Sequence, residues 1–137
     1  FGRAGFLICN DRWNPQIARA LVLDGAQLLL IPSYGSKAKK QNETVLARAR
    51  ENGVPIVEAN VGLNLIVNKG EVVAYKWGND QITSAQVDLP TPPSSAAARV
   101  AESEYLARQA PEAAKRYVET AKRLRGEDNL VEVAVDE

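Results

Sequence analysis

The sequence predicts an α/β fold on a mixed β-sheet, and three observations carry that expectation. Short apolar runs alternate with segments of helical period from Ala4 to Asn60, in the order strand, helix, strand, helix, strand. Connections of that length favour parallel pairing. An Asn68-Lys69-Gly70 turn between two β-rich runs then adds an antiparallel hairpin, so the sheet becomes mixed toward its later strands.

Ala4 to Ile8 reads as a buried strand that ends at polar residues. Asn14-Pro15 opens the first helix, with Asn14 as N-cap and Pro15 at the first helical position; Ile17, Ala18, Ala20 and Leu21 form its apolar side, and Gly25 stops it. Gln27 to Ile31 is a second buried strand, closed by the turn residues Pro32-Ser33-Tyr34-Gly35 with Lys37, Lys39 and Lys40 close by. Val45, Leu46 and Ala49 give Gln41 to Asn52 a helical face, and Gly53 ends it. Pro55 to Asn60 is the third strand. Leu63 to Val67 and Glu71 to Tyr75 form the hairpin, and Gln81 to Val87 alternates like one more strand.

"LPTPPSS", Leu89 to Ser95, is a linker, because three prolines in four residues cannot continue a helix or a central strand. Beyond it, Ala96 to Arg125 reads as two helices parted at Pro111. The second carries a narrow stripe, Ala114, Tyr117, Ala121 and Leu124, suited to docking on the domain or on another subunit. Asp128 to Glu137 reads as a short edge strand or a tail. The expected organisation is thus a domain portion at 1–90, a linker at 91–95 and a helical extension at 96–137.

At 137 residues, 45% of them apolar and 25% charged, one globular core is expected. Seventeen basic and seventeen acidic residues cancel without forming blocks, so neither a nucleic-acid footprint nor a polybasic membrane anchor is indicated. A small molecule or another protein is the expected partner. No apolar run approaches membrane-spanning length. A single cysteine makes no internal disulfide and fits a reducing compartment such as the cytoplasm. Histidine is absent, which excludes Cys-His dyads, Ser-His-Asp triads and histidine-based metal sites built from this chain alone.

The lone cysteine, Cys9, is open to two readings. Free cysteine is among the most buried residue types, so packing alone would account for it. Its place between a strand and a helix, where α/β sheets set reactive groups, favours chemistry.

Here the order of motifs matters. "GFLICNDRWNP", "ARALVLDGAQLLLIPS", "ARARENGVPIVEAN", the hairpin "NLIVNKGEVVAY" and the closing "VDLP" together resemble the carbon-nitrogen hydrolase (nitrilase) superfamily over about Gly2 to Pro90. The tetrapeptide "CNDR" is most similar to the N-carbamoyl amino acid amidohydrolases and amidases of that group. The resemblance implies a partial α-β-β-α sandwich, a mixed sheet with helices on one face, and a Cys-Glu-Lys catalytic set without metal or cofactor. On it Cys9 matches the nucleophile and the backbone N–H of Asn10 an oxyanion donor. The family's glutamate and lysine lie upstream of the cysteine, and eight residues precede Cys9 here. By this reading the chain, which begins with Phe1 and not methionine, is roughly the C-terminal half of a catalytic domain of a longer protein, and inactive alone. Gln16 replaces an acid of the carbamoylase pattern, and Asn64 stands where the family has a serine.

Among other candidates, Ser33 and Tyr34 are expected to line a substrate pocket, with a plain turn nearly as good an account. Asp11 and Glu51 are expected as structural support, Asp11 through capping or pairing with Arg12 or Arg19. The lysines 37, 39 and 40 read as a solvated loop, and the sequon at Asn42 as chance. The expected function is hydrolysis of a small amide, N-carbamoyl or nitrile substrate in the intact protein. The contrasting expectation is an inactive fragment or homologue serving as an interaction or structural subunit. A homo-oligomer formed through the sandwich and the C-terminal helices is expected, with no nucleic acid or membrane as partner.

Overall fold

A computed structural model of the protein describes residues 2–35, 39–79 and 81–126, apart from the side chain of Lys39. Five strands, β1 (Ala4–Phe6), β2 (Leu28–Ser33), β3 (Ile56–Asn60), β4 (Leu63–Asn68) and β5 (Glu71–Trp77), form one sheet in chain order. β1, β2 and β3 are parallel, and β3, β4 and β5 antiparallel. The parallel connections carry α1 (Pro15–Leu23) and α2 (Lys39–Asn52); α3 (Ser95–Ala107) and α4 (Pro111–Arg125) complete the described chain. The mixed sheet with helices that the sequence predicts is the observed fold.

The core lies between one face of the sheet and the first two helices. Leu29, Ile31, Ile56, Leu63, Leu65 and Val67 from the strands meet Ala18, Val22, Val45 and Ala49. Burying each of the larger aliphatic side chains contributes roughly 1.5–3 kcal/mol. Asn14 caps α1 by accepting from the Gln16 N–H at 3.0 Å. The hairpin turns on Lys69 and Gly70, both with positive φ, +50° and +76°. That pair gives the left-handed geometry of tight hairpins, and the Arg50 side chain clamps it by donating to the Gly70 carbonyl at 2.8 Å.

Three elements differ from expectation. β1 is three residues long; Leu7 still donates to the Leu30 carbonyl of β2 at 2.9 Å, and Ile8 leaves the sheet before Cys9. Phe6 and Ile8 are more than half exposed, so the segment is not buried on both sides. β2 passes through Pro32 to Ser33. Proline is tolerated because β1 pairs β2 only as far as Leu30, leaving this end of β2 bonded on the β3 side alone. Gln81 to Val87 is not a strand. It is an irregular strap tied by side-chain amides of β4: Asn64 donates to the Gln81 carbonyl at 2.7 Å, and Asn68 exchanges two 3.2 Å bonds with Asp88. The segment expected at Asp128 to Glu137 lies outside the described residues, as does Lys37.

A second apolar cluster joins the other side of α1 to the last two helices through Ala20, Leu23, Tyr117 and Ala121. Of the predicted stripe, Tyr117 and Ala121 are buried while Leu124 stays exposed. The Tyr117 hydroxyl donates to Glu102 at 2.9 Å, and Arg125 bridges Glu102 at 2.8 Å and Asp24 at 2.9 Å. Burial, then the bond to Glu102, raises the Tyr117 pKa well above the tyrosine range. The folded state therefore favours the neutral phenol, so this stability is complete below the unfolded value near pH 10 and is lost as pH rises through the folded value. Thermal melts should weaken above about pH 10, and Tyr117→Phe should flatten that part of the profile; an identical alkaline loss in both proteins would refute the assignment.

Candidate active site

The carboxyl ends of β1, β2 and β3 point the same way, and the segments leaving these strands converge at that edge. After β1, Cys9–Trp13 winds into a single 3-10 turn. Asp11 builds it: its carboxylate accepts from the Ile8 N–H at 2.9 Å while its own N–H donates to the Ile8 carbonyl at 3.0 Å. Cys9 has φ +51°, one of two non-glycine residues among those described with positive φ. A left-handed L-residue costs roughly 1–2 kcal/mol and persists where surrounding bonds over-determine it.

Those bonds come largely from Arg12. Its guanidinium is buried, donates through Nε to the Cys9 carbonyl at 2.7 Å and places Nη2 3.8 Å from the Cys9 sulfur. Nη1 pairs with Glu58, which is only 1% exposed. Glu58 sits mid-strand on β3, flanked in register by the core residues Ile31 and Leu65. Its Oε1 also accepts from Gln41 at 2.8 Å and from Ser33 at 3.2 Å, whereas Oε2 has no hydrogen-bond partner among the described residues. A buried unpaired acceptor costs about 1–3 kcal/mol, so the network is retained at the expense of stability. On the other side of the sulfur, the thiol reaches the Tyr34 carbonyl at 3.9 Å.

The structure thus brings Cys9, Asn10, Asp11, Ser33 and Tyr34 to one end of the sheet. Ser33 points into the buried network, and the Tyr34 side chain stands free at 80% exposure. Asn10 is exposed and faces a groove of about 480 Å³ with Trp13, Gln109 and Arg116. A second groove, of about 520 Å³, runs past Ser33, Asn60, Asn64, Asn79 and Gln81, with no titratable side chain among the described residues that line it. Glu51 pairs with Arg48 of its own helix at 3.0 Å, and no hydrogen bond ties it to the Cys9 turn among the described residues. Lys40 is exposed, as expected, but belongs to the first turn of α2 and not to a loop, with its amine 5.9 Å from the Trp13 ring centre. Gln16 is buried and donates to the Ala113 carbonyl at 2.8 Å, which anchors α4 to α1. Arg12, Glu58 and Gln41 went unremarked as site residues in the sequence.

A cysteine on a left-handed turn lies at the carboxyl edge of the parallel strands, and the chain belongs to the carbon-nitrogen hydrolase family, whose model matches residues 1–92. Among curated proteins it is similar to N-carbamoylputrescine amidase of Arabidopsis thaliana, at 34% identity over 61% of this chain and 29% of that protein. It is also similar to a probable nitrilase of Schizosaccharomyces pombe, at 36% identity over 44% of this chain and 23% of that protein. The chain therefore spans less than a third of the length of these relatives. Among solved structures it resembles a nitrilase-superfamily amidase of Nesterenkonia, with a TM-score of 0.52 at 26% identity over 57% of this chain and 35% of that one. In another mutant of that amidase, with a TM-score of 0.50 at 27% identity and coverage of 57% and 35%, the acetamide moiety of fluoroacetamide is bonded to the active-site cysteine.

Proposed function

We propose that the protein, in its intact form, hydrolyses a carbon-nitrogen bond of a small amide, N-carbamoyl or nitrile compound through a thioester on Cys9. The observation that carries this reading is the left-handed Cys9 at the carboxyl edge of the parallel strands, in a chain of this family. On an amide, the thiolate attacks the carbonyl carbon, the C–S bond forms, the C–N bond breaks and the amine leaves with a proton. Water then cleaves the C–S bond, releasing the acid and restoring the thiol. The Asn10 N–H is the proposed oxyanion donor. The glutamate base and the lysine come from outside these 137 residues, and the chain alone is inactive. Ser33 and Tyr34 border the substrate, Asp11 shapes the nucleophile turn, and Glu51 supports α2.

Amidases among the relatives and structural neighbours support an amide or carbamoyl substrate, and the probable nitrilase keeps a nitrile within the reading. The groove beside Ser33, lined by side-chain amides, suits a neutral polar substrate. The intact protein is read as a homo-oligomer of a reducing compartment such as the cytoplasm; no helix among the described residues is long and apolar enough to cross a membrane. A second reading, an inactive interaction subunit, draws on the exposed Phe6, Ile8 and Trp77.

Rapid quenching of the intact protein with acetamide, butyramide and N-carbamoylated amines, then mass analysis of the Cys9 peptide, separates the two. An acyl or carbamoyl adduct on Cys9 with product release is expected. No adduct and no turnover with any of these probes would overturn the hydrolase reading.

A further inference from the structure

Glu58 is a charged residue at a core position, and no step of the proposed hydrolysis uses it. Its partner Arg12 divides one guanidinium three ways: Nη1 to Glu58, Nε to the Cys9 carbonyl, and Nη2 toward the Cys9 sulfur at 3.8 Å. Each contact has its own chemical effect. The bond to the carbonyl holds Cys9 in its left-handed conformation. The contact to sulfur sets a fixed positive charge beside the atom that must become a thiolate, which favours that form. The carboxylate behind the guanidinium orients it and at the same time competes with the sulfur for its charge.

From this geometry we infer that Arg12 is a catalytic cation that holds and activates the Cys9 thiolate, and that Glu58 is a positioning residue that aims Arg12 and limits its pull. The inference rests on the reading of Cys9 as the nucleophile. Burial supports it, because Arg12 and Glu58 are both nearly inaccessible and solvent does not screen the pair as it would at the surface. The asymmetry of Glu58 supports it too. Among the described residues three donors converge on Oε1 and none on Oε2, so Arg12, Gln41 and Ser33 fix one oxygen in place on the side of the Cys9 turn. The same arrangement engages all three nitrogens of Arg12. Among the described residues, the charged and titratable groups facing the sulfur or its turn are Asp11 and Arg12 on that turn, Glu58 from β3, Tyr34 after β2, and Lys40 from α2, whose amine lies over the Trp13 ring.

Alkylation by iodoacetamide tests this without any turnover. The full chain and its variants are alkylated across pH 6 to 10, and the modified Cys9 peptide is counted by mass spectrometry. Cys9 is the single cysteine of the sequence, so the signal belongs to one sulfur. Arg12→Met should slow alkylation at pH 7 by roughly ten-fold while changing it at pH 10 by only about three-fold or less. Arg12→Lys should restore part of the loss. Glu58→Gln keeps the shape and frees the guanidinium charge for the sulfur, so it should speed alkylation at pH 7 by several-fold with little change at pH 10.

A merely structural pair would leave the ratio of the two rates unmoved in any variant that melts cooperatively. That ratio remaining at the wild-type value in Glu58→Gln overturns the inference, including the case where Arg12→Met fails to fold. The hydrolase reading fails separately, through the absence of an acyl adduct on Cys9.

Discussion

Replacing Cys9 by alanine in the intact protein is expected to lower amide hydrolysis by roughly 10⁴- to 10⁶-fold while leaving the fold in place, as is usual when a nucleophile is removed. The fold survives because Cys9 is only half-buried and belongs to neither apolar cluster. Its backbone geometry is set by Asp11 and by Arg12 acting on the carbonyl, and alanine keeps that carbonyl. What disappears is the sulfur and with it the covalent path. Ammonia or amine release measured beside a thermal melt checks both halves of the expectation. Turnover within ten-fold of wild type would remove Cys9 from the mechanism.

Glu58→Ala is expected to have the largest effect on stability, a loss of about 3–5 kcal/mol. A paired buried charge adds little over an apolar pair of the same shape, but removing one partner leaves the other buried and unpaired. Here the stranded group is Arg12, whose side chain is 3% exposed, with Gln41 and Ser33 losing their common acceptor. A domain of ordinary stability has only about 5–15 kcal/mol in hand, so the variant should melt at much lower denaturant. Reversion is informative: Arg12→Met combined with Glu58→Leu should recover much of the loss, because it removes both charges together. Urea titration of the wild type, the single variant and the pair forms the test. A single variant within about 1 kcal/mol of wild type would contradict the buried-pair account.

Most of the scaffold was legible because its signals are local. Asn14-Pro15, Gly25 and Gly53 punctuate helices by their own backbone chemistry, and Asn68-Lys69-Gly70 marks a hairpin whatever surrounds it. The strap at Gln81 to Val87 misled because alternation describes a strand only where a neighbour offers a free main-chain edge, and here the amides of Asn64 and Asn68 make the bonds instead. Cys9, Ser33 and Tyr34 were readable as strand-end residues. Arg12 and Glu58 were not, since forty-six residues separate them and only the fold brings them together. One signal was nonetheless present in "PIVEAN": residues 56, 58 and 60 share a face of the strand, so a glutamate stands between positions that face the core. A charged residue at such a place calls for a partner, and the arginine three residues after the cysteine was available.

The left-handed backbone at Cys9 has a consequence for how this sequence tolerates change. Glycine, or to a lesser degree asparagine, would sit at φ +51° with less strain than cysteine. A population of variants screened for heat resistance alone would therefore drift away from the thiol, whereas a screen for hydrolysis would hold it. Position 9 is where those two pressures oppose each other.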